Sequence, residues 1–415
     1  MKRLLYIIFS FLLIFIANGY AQENATLEGY LSDAMNNSPL LNSYKNQRFS
    51  LQIDSLKLKA DYGIHVDGLG DASYSPLIHG WGYNGSTVTG QNLSAIVRVS
   101  KDLLGKENLN TRLDSYSLKI KQLLNQSEIT TIQLARLVTD QYITTWSAQQ
   151  KHRIVHEIVQ LLEQEDVILK KLTQEASFKQ TDYLSFKVIL QQNILALQQQ
   201  YADWQNSYAT LNYLAGIVDT TVQTLQSPLF SNEIPLSFEQ SVYAKSYKTD
   251  SLKITNDAKI INFDYRPKFS VYVDGGYSSA LIASPYKNFG ASAGISITIP
   301  IYDGNKRKMS LQQNQLSQDT RERYNEFDHN RYQQQTAQIA GQIRQYNQLT
   351  ITAKEQLNYA QALIEANFKQ LPTGDVKVVD FILSINNYIN LKLGLVQYEA
   401  TLYSLYNNLH NITLQ

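Results

Sequence analysis

One segment, Phe289–Asn305, constrains this chain more than any other; it reads FGASAGISITIPIYDGN and has no charged residue before Asp303. Apolar side chains occupy every second position, and mostly Gly, Ser and Thr stand between them. Because side chains alternate between the two faces of a strand, this pattern predicts one face for lipid and one for water. The apolar positions are Phe289, Ala291, Ala293, Ile295, Ile297, Ile299 and Ile301. At Pro300, which lacks the N–H that a central strand needs, the chain leaves the strand and passes through Tyr302, Asp303 and Gly304 into a long helical segment.

The same arrangement occurs about half a chain earlier, which predicts an internal duplication. Two alternating segments, Ile64–Tyr74 and Leu93–Gly105, precede one long helical stretch, as Phe269–Tyr277 and the segment above precede another. Gly105 corresponds to Gly304 at a shift of roughly 200 residues. A period this long indicates a duplicated domain rather than a solenoid.

The repeat and the N-terminus together predict the division of the chain. Residues 1–21 read as a secretory signal peptide, in which two positive residues precede an apolar run and small residues precede the cleavage site. The mature chain is then expected outside the cytoplasm. We predict a first repeat over residues 22–216, a linker over 217–237 and a second repeat over 238–415. Each repeat contains an initial helix, two strands and two long helices.

The helical segments are too long for an ordinary compact core. Lys106–Leu172 contains neither Pro nor Gly and keeps apolar residues three and four apart. At about 1.5 Å per residue such a helix extends to about 100 Å. A return helix is predicted over Asp182–Ala215, and the second repeat predicts a matching pair over Lys306–Lys369 and from Val378 to near the C-terminus.

Composition excludes several classes of protein. The net charge is +1 and 18% of residues are charged, so neither nucleic acid nor an acidic substrate is implied as a partner. The chain has no cysteine, which excludes disulfides, thiol catalysis and zinc–thiolate sites. No phosphate-binding loop, nucleophile elbow or catalytic triad is present, so we expect no enzymatic activity and no cofactor.

The number of strands predicts an oligomer. About four amphipathic strands per chain cannot close into a barrel, and an open sheet in lipid leaves the backbone groups at its edges without partners. Several copies must therefore pool their strands. Two copies would supply about eight strands, with a bore filled by side chains, and three would supply about twelve and leave a channel. The fold class predicted is mainly α with transmembrane β, in which long antiparallel coiled-coil helices continue the barrel as a periplasmic α-barrel.

Short motifs mark the turns of both repeats. PIYDGN at Pro300–Asn305 leaves the last strand, Asn37–Pro39 lies in the first helical region, Thr181–Asp182 stands at the first turn between long helices, and Gly374 with Asp380 stands at the second. With the duplicated order of elements, the mature chain resembles the TolC family of outer-membrane efflux ducts. The resemblance implies a homotrimer in outer-membrane lipid, with a twelve-stranded barrel and a twelve-helix tunnel. It also implies a periplasmic adaptor and an inner-membrane pump as partners, in tripartite efflux or type I secretion.

The resemblance also implies a gate at the periplasmic tip of the tunnel. Three copies each of Asp182 and Asp380 would ring the constriction and favour cations. Each Asp could also cap the N-terminus of a returning helix, a role that does not exclude gating. The predicted tip residues are Thr181, Asp182, Asp375, Lys377 and Asp380, and the predicted junction residues between barrel and tunnel are Gly105, Pro300, Tyr302, Asp303 and Gly304. Leu371, Val376 and Leu383 stand where the family has polar closing residues, which leaves the means of closure open.

Two further interpretations stay open at the level of sequence. His152 and His156 lie four residues apart on a predicted helix, which suits either a metal pair or a solvated helix surface. The competing class of protein is a periplasmic coiled-coil adaptor or a structural protein of an envelope-spanning complex. An adaptor would lack the paired, uncharged alternating strands.

Overall fold

The structure, a computed structural model, describes residues 26–74, 91–230, 237–279 and 285–414. The helices are α1 (Leu27–Asn37), α2 (Pro39–Asp61), α3 (Lys106–Gln174), α4 (Gln180–Ala215), α5 (Val242–Asp264), α6 (Lys306–Gln370) and α7 (Val378–Leu414). The strands are β1 (His65–Tyr74), β2 (Gln91–Leu103), β3 (Lys268–Ser279) and β4 (Phe289–Thr298). Short 3-10 helices occupy Phe238–Gln240 and Pro285–Lys287. The predicted signal peptide, residues 1–21, and residues 231–236 of the predicted linker lie outside the described residues.

The first helices begin where local side chains satisfy their free backbone donors. The hydroxyl of Thr26 accepts a hydrogen bond from the backbone N–H of Gly29 at 3.2 Å, which caps α1. Ser38 does the same for Leu41 at 3.4 Å, and Pro39 is the first residue of α2, where a missing N–H costs nothing. The predicted fold class, mainly α with four strands per chain, is confirmed.

The four strands form one antiparallel sheet in the order β1-β2-β3-β4. Val66 pairs with Val99, Val99 with Val273, and Val273 with Ala293, so these four residues share one face. The large apolar side chains of that face are exposed, as Val66 is to 65% and Ile295 to 72%. An exposed apolar sheet face of this extent is typical of a surface that contacts a membrane or another protein.

The opposite face of the sheet is polar and hydrogen-bonded across strands. Asp67, Arg98, Asp274 and Ser292 are neighbours in register on β1 to β4. The guanidinium of Arg98 donates to Asp274 Oδ2 from Nη2 at 2.7 Å and from Nε at 3.1 Å. The hydroxyl of Ser292 donates to the other oxygen of the same carboxylate. The two faces therefore differ as the alternation in the sequence predicts.

Contacts divide the chain into two compact units. One unit combines Ser43–Gln126 with Ala244–Phe327 and contains the sheet. The other combines the described parts of Met1–Asn42, Ser127–Tyr243 and Asp328–Gln415. Each unit takes residues from both halves of the sequence. The boundaries of the sequence repeats stay a prediction.

The unit without the sheet contains two apolar clusters. One, which we call the tip cluster, joins α3, α4, α6 and α7 beside their connecting turns. Its buried members are Ile158, Leu162, Leu169, Phe186, Leu190, Ala360, Ile364, Leu371, Val378, Phe381, Ile385, Tyr388 and Ile389. The other cluster surrounds α1 and includes Tyr30, Tyr142 and Trp146. These clusters bury one side of each contributing helix, while some large apolar side chains elsewhere on the same helices stay exposed, as Val167 does to 71% and Val379 to 63%.

The described part of the predicted linker, residues 217–230, packs against this unit rather than hanging free. The backbone N–H of Leu225 donates to Gln149 Oε1 at 2.8 Å, and the side chain of Leu225 is 3% exposed. The hydroxyl of Tyr142 donates to the carbonyl of Gln226 at 2.8 Å. A connection without helix or strand is thus fixed by side chains of α3.

None of the helices in the described ranges combines the length and the apolar character needed to cross a membrane.

Candidate functional site

The turn between α3 and α4 has a defined backbone geometry. Ala176 adopts a left-handed conformation with φ of 58°, and the N–H of Ser177 donates to the carbonyl of Leu172 at 2.9 Å. Such a bond closes the C-terminal end of a helix. The following helix begins at Gln180, and Lys179 is its cap residue, without a side-chain cap hydrogen bond.

The predicted role of Asp182 as a helix cap is therefore wrong. Asp182 is the third residue of α4, two positions inside the helix start. Asp380 is likewise the third residue of α7, which begins at Val378. Both carboxylates lie in the first turn, where the helix dipole stabilises negative charge without a cap hydrogen bond.

The turn between α6 and α7 depends on one glycine. Gly374 has φ of 78°, a left-handed conformation that only glycine adopts without cost. The N–H of Asp375 donates to the carbonyl of Gln370 at 3.2 Å. The hydroxyl of Thr373 lies 2.6 Å from Asp375 Oδ2 and 2.9 Å from the same carbonyl. Asp375 thus belongs to the turn itself.

The five predicted tip residues lie on the two turns or in the helix starts beside them. Thr181, Asp375, Lys377 and Asp380 are exposed and Asp182 is half-buried. Within the described residues, no hydrogen bond or ion pair joins any two of these five side chains. Four of the five side chains are therefore open to water.

Apolar side chains join the two turns instead. The rings of Phe186 on α4 and Phe381 on α7 stack with centroids 6.3 Å apart, and both are fully buried. Phe368 meets Phe381 edge-on at 4.9 Å. Sequence patterning identified these residues only as helix positions, because nothing local distinguishes a phenylalanine that joins two hairpins from one within a hairpin.

The three residues that depart from the family pattern behave differently from one another. Leu371 is fully buried in the tip cluster, and Val376 packs against the cluster while partly buried. Leu383 is 60% exposed. Leu371 and Val376 therefore contribute packing to the tip cluster.

One ion pair links the two helices of the first hairpin. Lys187 Nζ lies 2.7 Å from Asp166 Oδ2, which joins α4 to α3. The hydrogen bond to Asp166 raises the pKa of Lys187. Sequence reasoning missed this pair because the two residues belong to different helices.

The two junctions between strand and helix differ in their backbone. At the second, Gly304 and Asn305 both have positive φ, 62° and 66°. The carboxylate of Asp303 accepts from the backbone N–H groups of Asn305 at 2.9 Å and Arg307 at 2.8 Å, which caps α6. At the first, Gly105 is not among the glycines with positive φ, and it directly precedes α3.

The other predicted junction residues follow the end of β4. Pro300 and Tyr302 lie beyond Thr298, the last strand residue, and Tyr302 is 85% exposed. Pro300 thus lies outside the hydrogen-bonded ladder, which is where a residue without an N–H is tolerated.

His152 and His156 form part of an aromatic group. Their rings stack with centroids 6.1 Å apart, and His152 also contacts Tyr201 at 5.5 Å and Trp204 at 5.4 Å. Burial, and then the neighbouring His156, lower the pKa of His152. Across the described ranges, no group of three or more His, Asp or Glu side chains is placed to hold a metal ion.

Comparison with known proteins gives a likeness of structure. No family model and no curated protein sequence matches the chain. CusC, solved in a study of transmembrane channel formation, is 14% identical, with a TM-score of 0.78, over 94% of this chain and 92% of that one. VceC, an outer membrane protein of Vibrio cholerae, is 12% identical, with a TM-score of 0.75, over 93% and 96%. The CmeC outer membrane channel of Campylobacter jejuni is 12% identical, with a TM-score of 0.74, over 94% and 85%.

This chain has the fold of these proteins. The likeness extends over 93–94% of this chain and 85–96% of the others. At such low identity it rests on the arrangement of helices and strands.

Proposed function

We propose that this chain is one subunit of a trimeric outer-membrane channel of the TolC family. The channel would carry cargo from an inner-membrane pump and a periplasmic adaptor to the outside. It is a passive duct without catalysis, and energy comes from the partner. The long helices extend into the periplasm. The turn between α3 and α4 and the turn between α6 and α7 form the periplasmic entrance of the channel.

The observation that carries the proposal is a small sheet with two open edges and two unlike faces. Among the described residues, β1 and β4 each pair on one side only. Unpaired backbone N–H and C=O groups in lipid cost several kcal/mol each, so the edges require partners. Three copies joined edge to edge supply about twelve strands and satisfy both edges of every copy.

The arrangement of the two faces supports the same assembly. A barrel in lipid turns apolar side chains outward and polar side chains toward water. The face that carries Val99 and Ile295 fits the outside, and the face that carries Arg98 and Asp274 fits the lumen. The sequence alone did not indicate which face of each strand points toward the lumen, and we propose this orientation.

The likeness to solved outer-membrane channels supports the proposal independently. CmeC and CusC are described as channels, and the present chain covers most of the length of each. The proposed tip residues Thr181, Asp182, Asp375, Lys377 and Asp380 would then line the periplasmic entrance. The acids would favour cations there.

The test is the location and oligomeric state of the full-length protein. After expression in a Gram-negative host, we expect the protein in the outer-membrane fraction. In detergent it should run as a heat-sensitive trimer, and in planar bilayers it should give discrete conductance steps. A soluble periplasmic monomer would contradict the proposal and favour an adaptor or structural protein.

A further inference from the structure

Glu165 is a buried acid in a position where an apolar residue is expected. It lies on α3 between Leu162 and Leu169, which are 1% and 0% exposed and belong to the tip cluster. Residues three and four apart lie on one face of a helix, so Glu165 shares the face that packs into the cluster. Glu165 itself is 6% exposed.

The hydrogen bonding of the Glu165 carboxylate is incomplete. Among the residues that the structure describes, its Oε2 is buried without a hydrogen-bond partner. A buried charge without partners costs several kcal/mol, whereas a neutral carboxyl group costs far less. Additional copies of the chain can only bury this position further.

Charged groups on the surrounding helices are engaged elsewhere or exposed. On α4, Lys187 pairs with Asp166, and Tyr183 also interacts with Asp166. On α7, Lys392 pairs with Glu157 at 3.3 Å and lies over the ring of Tyr388. On α6, Glu365 and Lys369 are the acid and the base nearest in sequence to the buried Asn367, and both are exposed.

We propose that Glu165 makes the packing of the two tip hairpins sensitive to pH, so that a neutral carboxyl group permits full packing and an ionised one loosens it. The link from packing to the channel entrance rests on the proposed function. The packing itself does not depend on a channel, because the helices that surround Glu165 belong to one compact unit of a single chain.

The direction of the effect follows from burial. Desolvation raises the pKa of Glu165 in the packed state above its ordinary value. Below the ordinary pKa of about 4.3 the group is neutral in both packed and loosened states. As pH rises from there to the raised pKa, the packed state loses stability, and above that it loses no more. We therefore expect the tip to be tightest in acid.

The test is hydrogen exchange of the full-length protein, followed by mass spectrometry at pH 4.5 and pH 7.5 and corrected for intrinsic exchange rates. Peptides from the ends of the two hairpins should lose protection at the higher pH, by a factor of about ten for each unit by which packing raises the pKa of Glu165. E165Q should remove this loss, because it stays neutral with nearly the same shape. E163Q is the matched control, because Glu163 is an exposed acid on the same helix. This variant should keep the loss of protection at the higher pH.

A second variant guards against failure of E165Q to pack. E165M is neutral, apolar and similar in length, and it should also remove the dependence on pH. If both variants keep the wild-type dependence, the proposal is wrong and another group, such as the pair of Lys187 and Asp166, is responsible. Protection needs no membrane insertion, so a protein that forms no channel but keeps the Glu165 effect would contradict only the proposed function.

Discussion

Asp182 and Asp380 occupy equivalent places in two hairpins that otherwise differ. Each is the third residue of its helix, and among the described residues neither forms an ion pair. Neither is needed as a cap, so their negative charge is free to act on the surroundings. The positive end of the helix dipole favours a negative charge at this position.

Neutralising both acids should change ion selectivity. With D182N and D380N together, we expect the preference for cations over anions in planar bilayers to fall, because six carboxylates leave the proposed trimer entrance. The reversal potential under a salt gradient measures this. E365Q, which removes an exposed acid from α6, is the control, and unchanged selectivity in the double variant would remove both acids from the constriction.

Gly374 offers a test of backbone conformation without a steric contribution. Its φ of 78° disfavours any other residue, but a Cβ there meets nothing within 4 Å. G374A should therefore destabilise the second turn by about 1–2 kcal/mol. The thermal midpoint of the purified protein and local hydrogen exchange measure the change.

Gly394 provides the matched control for that substitution. It lies within α7, and a Cβ there also meets nothing within 4 Å. Because alanine favours a helix by about 1 kcal/mol over glycine, G394A should stabilise the protein. Equal effects of the two substitutions would show that the conformation of Gly374 is unimportant.

At the level of elements, the sequence predicted most helices and strands closely. The starts of α3, α6 and α7 at Lys106, Lys306 and Val378 agree with prediction, because Gly or Pro stands shortly before each. The start of α4 was placed at Asp182 and lies at Gln180. The error arose because Asp is a favourable residue type at a helix start, whereas Lys179 is the cap residue in the structure.

The sequence pattern could not predict the contact between the α3–α4 and α6–α7 hairpins. A helical repeat identifies which side of a helix is apolar but not which helix that side meets. Phe186 and Phe381 therefore gave no signal of their shared stack. The same reason explains why the sequence predicted a linker over 217–237 but not the docking of Leu225 on α3.

Breaking the stack should open the tip. Removing a buried phenylalanine costs about 3–5 kcal/mol, and F381A removes the ring that both Phe186 and Phe368 contact. We expect faster hydrogen exchange at both turns and larger single-channel conductance. L383A, which truncates an exposed side chain two residues away, should change stability by less than about 0.5 kcal/mol. Equal exchange in the two variants would contradict a joint role for the stack.

At the scale of the whole molecule, the sheet faces make a directional prediction. Ile297 lies on the apolar face opposite Phe269, and Ser296 lies on the polar face opposite Ser270. A lysine on the lipid side of a barrel costs about 2–4 kcal/mol near the middle of the bilayer and less toward its edges. I297K should thus reduce the amount of trimer in the outer membrane.

The neighbouring position supplies the contrast. S296K places the same charge on the face that we assign to water, so its outer-membrane level should stay near that of the wild type. Quantitative blots of membrane fractions, with heat-sensitive trimer as the readout, measure both. A larger loss with S296K than with I297K would reverse the assignment of the faces.

The open edges of the sheet also determine what happens when intact copies assemble with copies that have a defective edge strand. In the proposed ring each copy relies on both neighbours, so one copy with a defective edge spoils the closure of all three. If defective and intact copies are made in equal amounts and mix at random, only about one ring in eight contains intact copies alone. A damaged allele of such a gene is then dominant over the intact one, because the share of fully intact rings falls with the third power of the intact fraction.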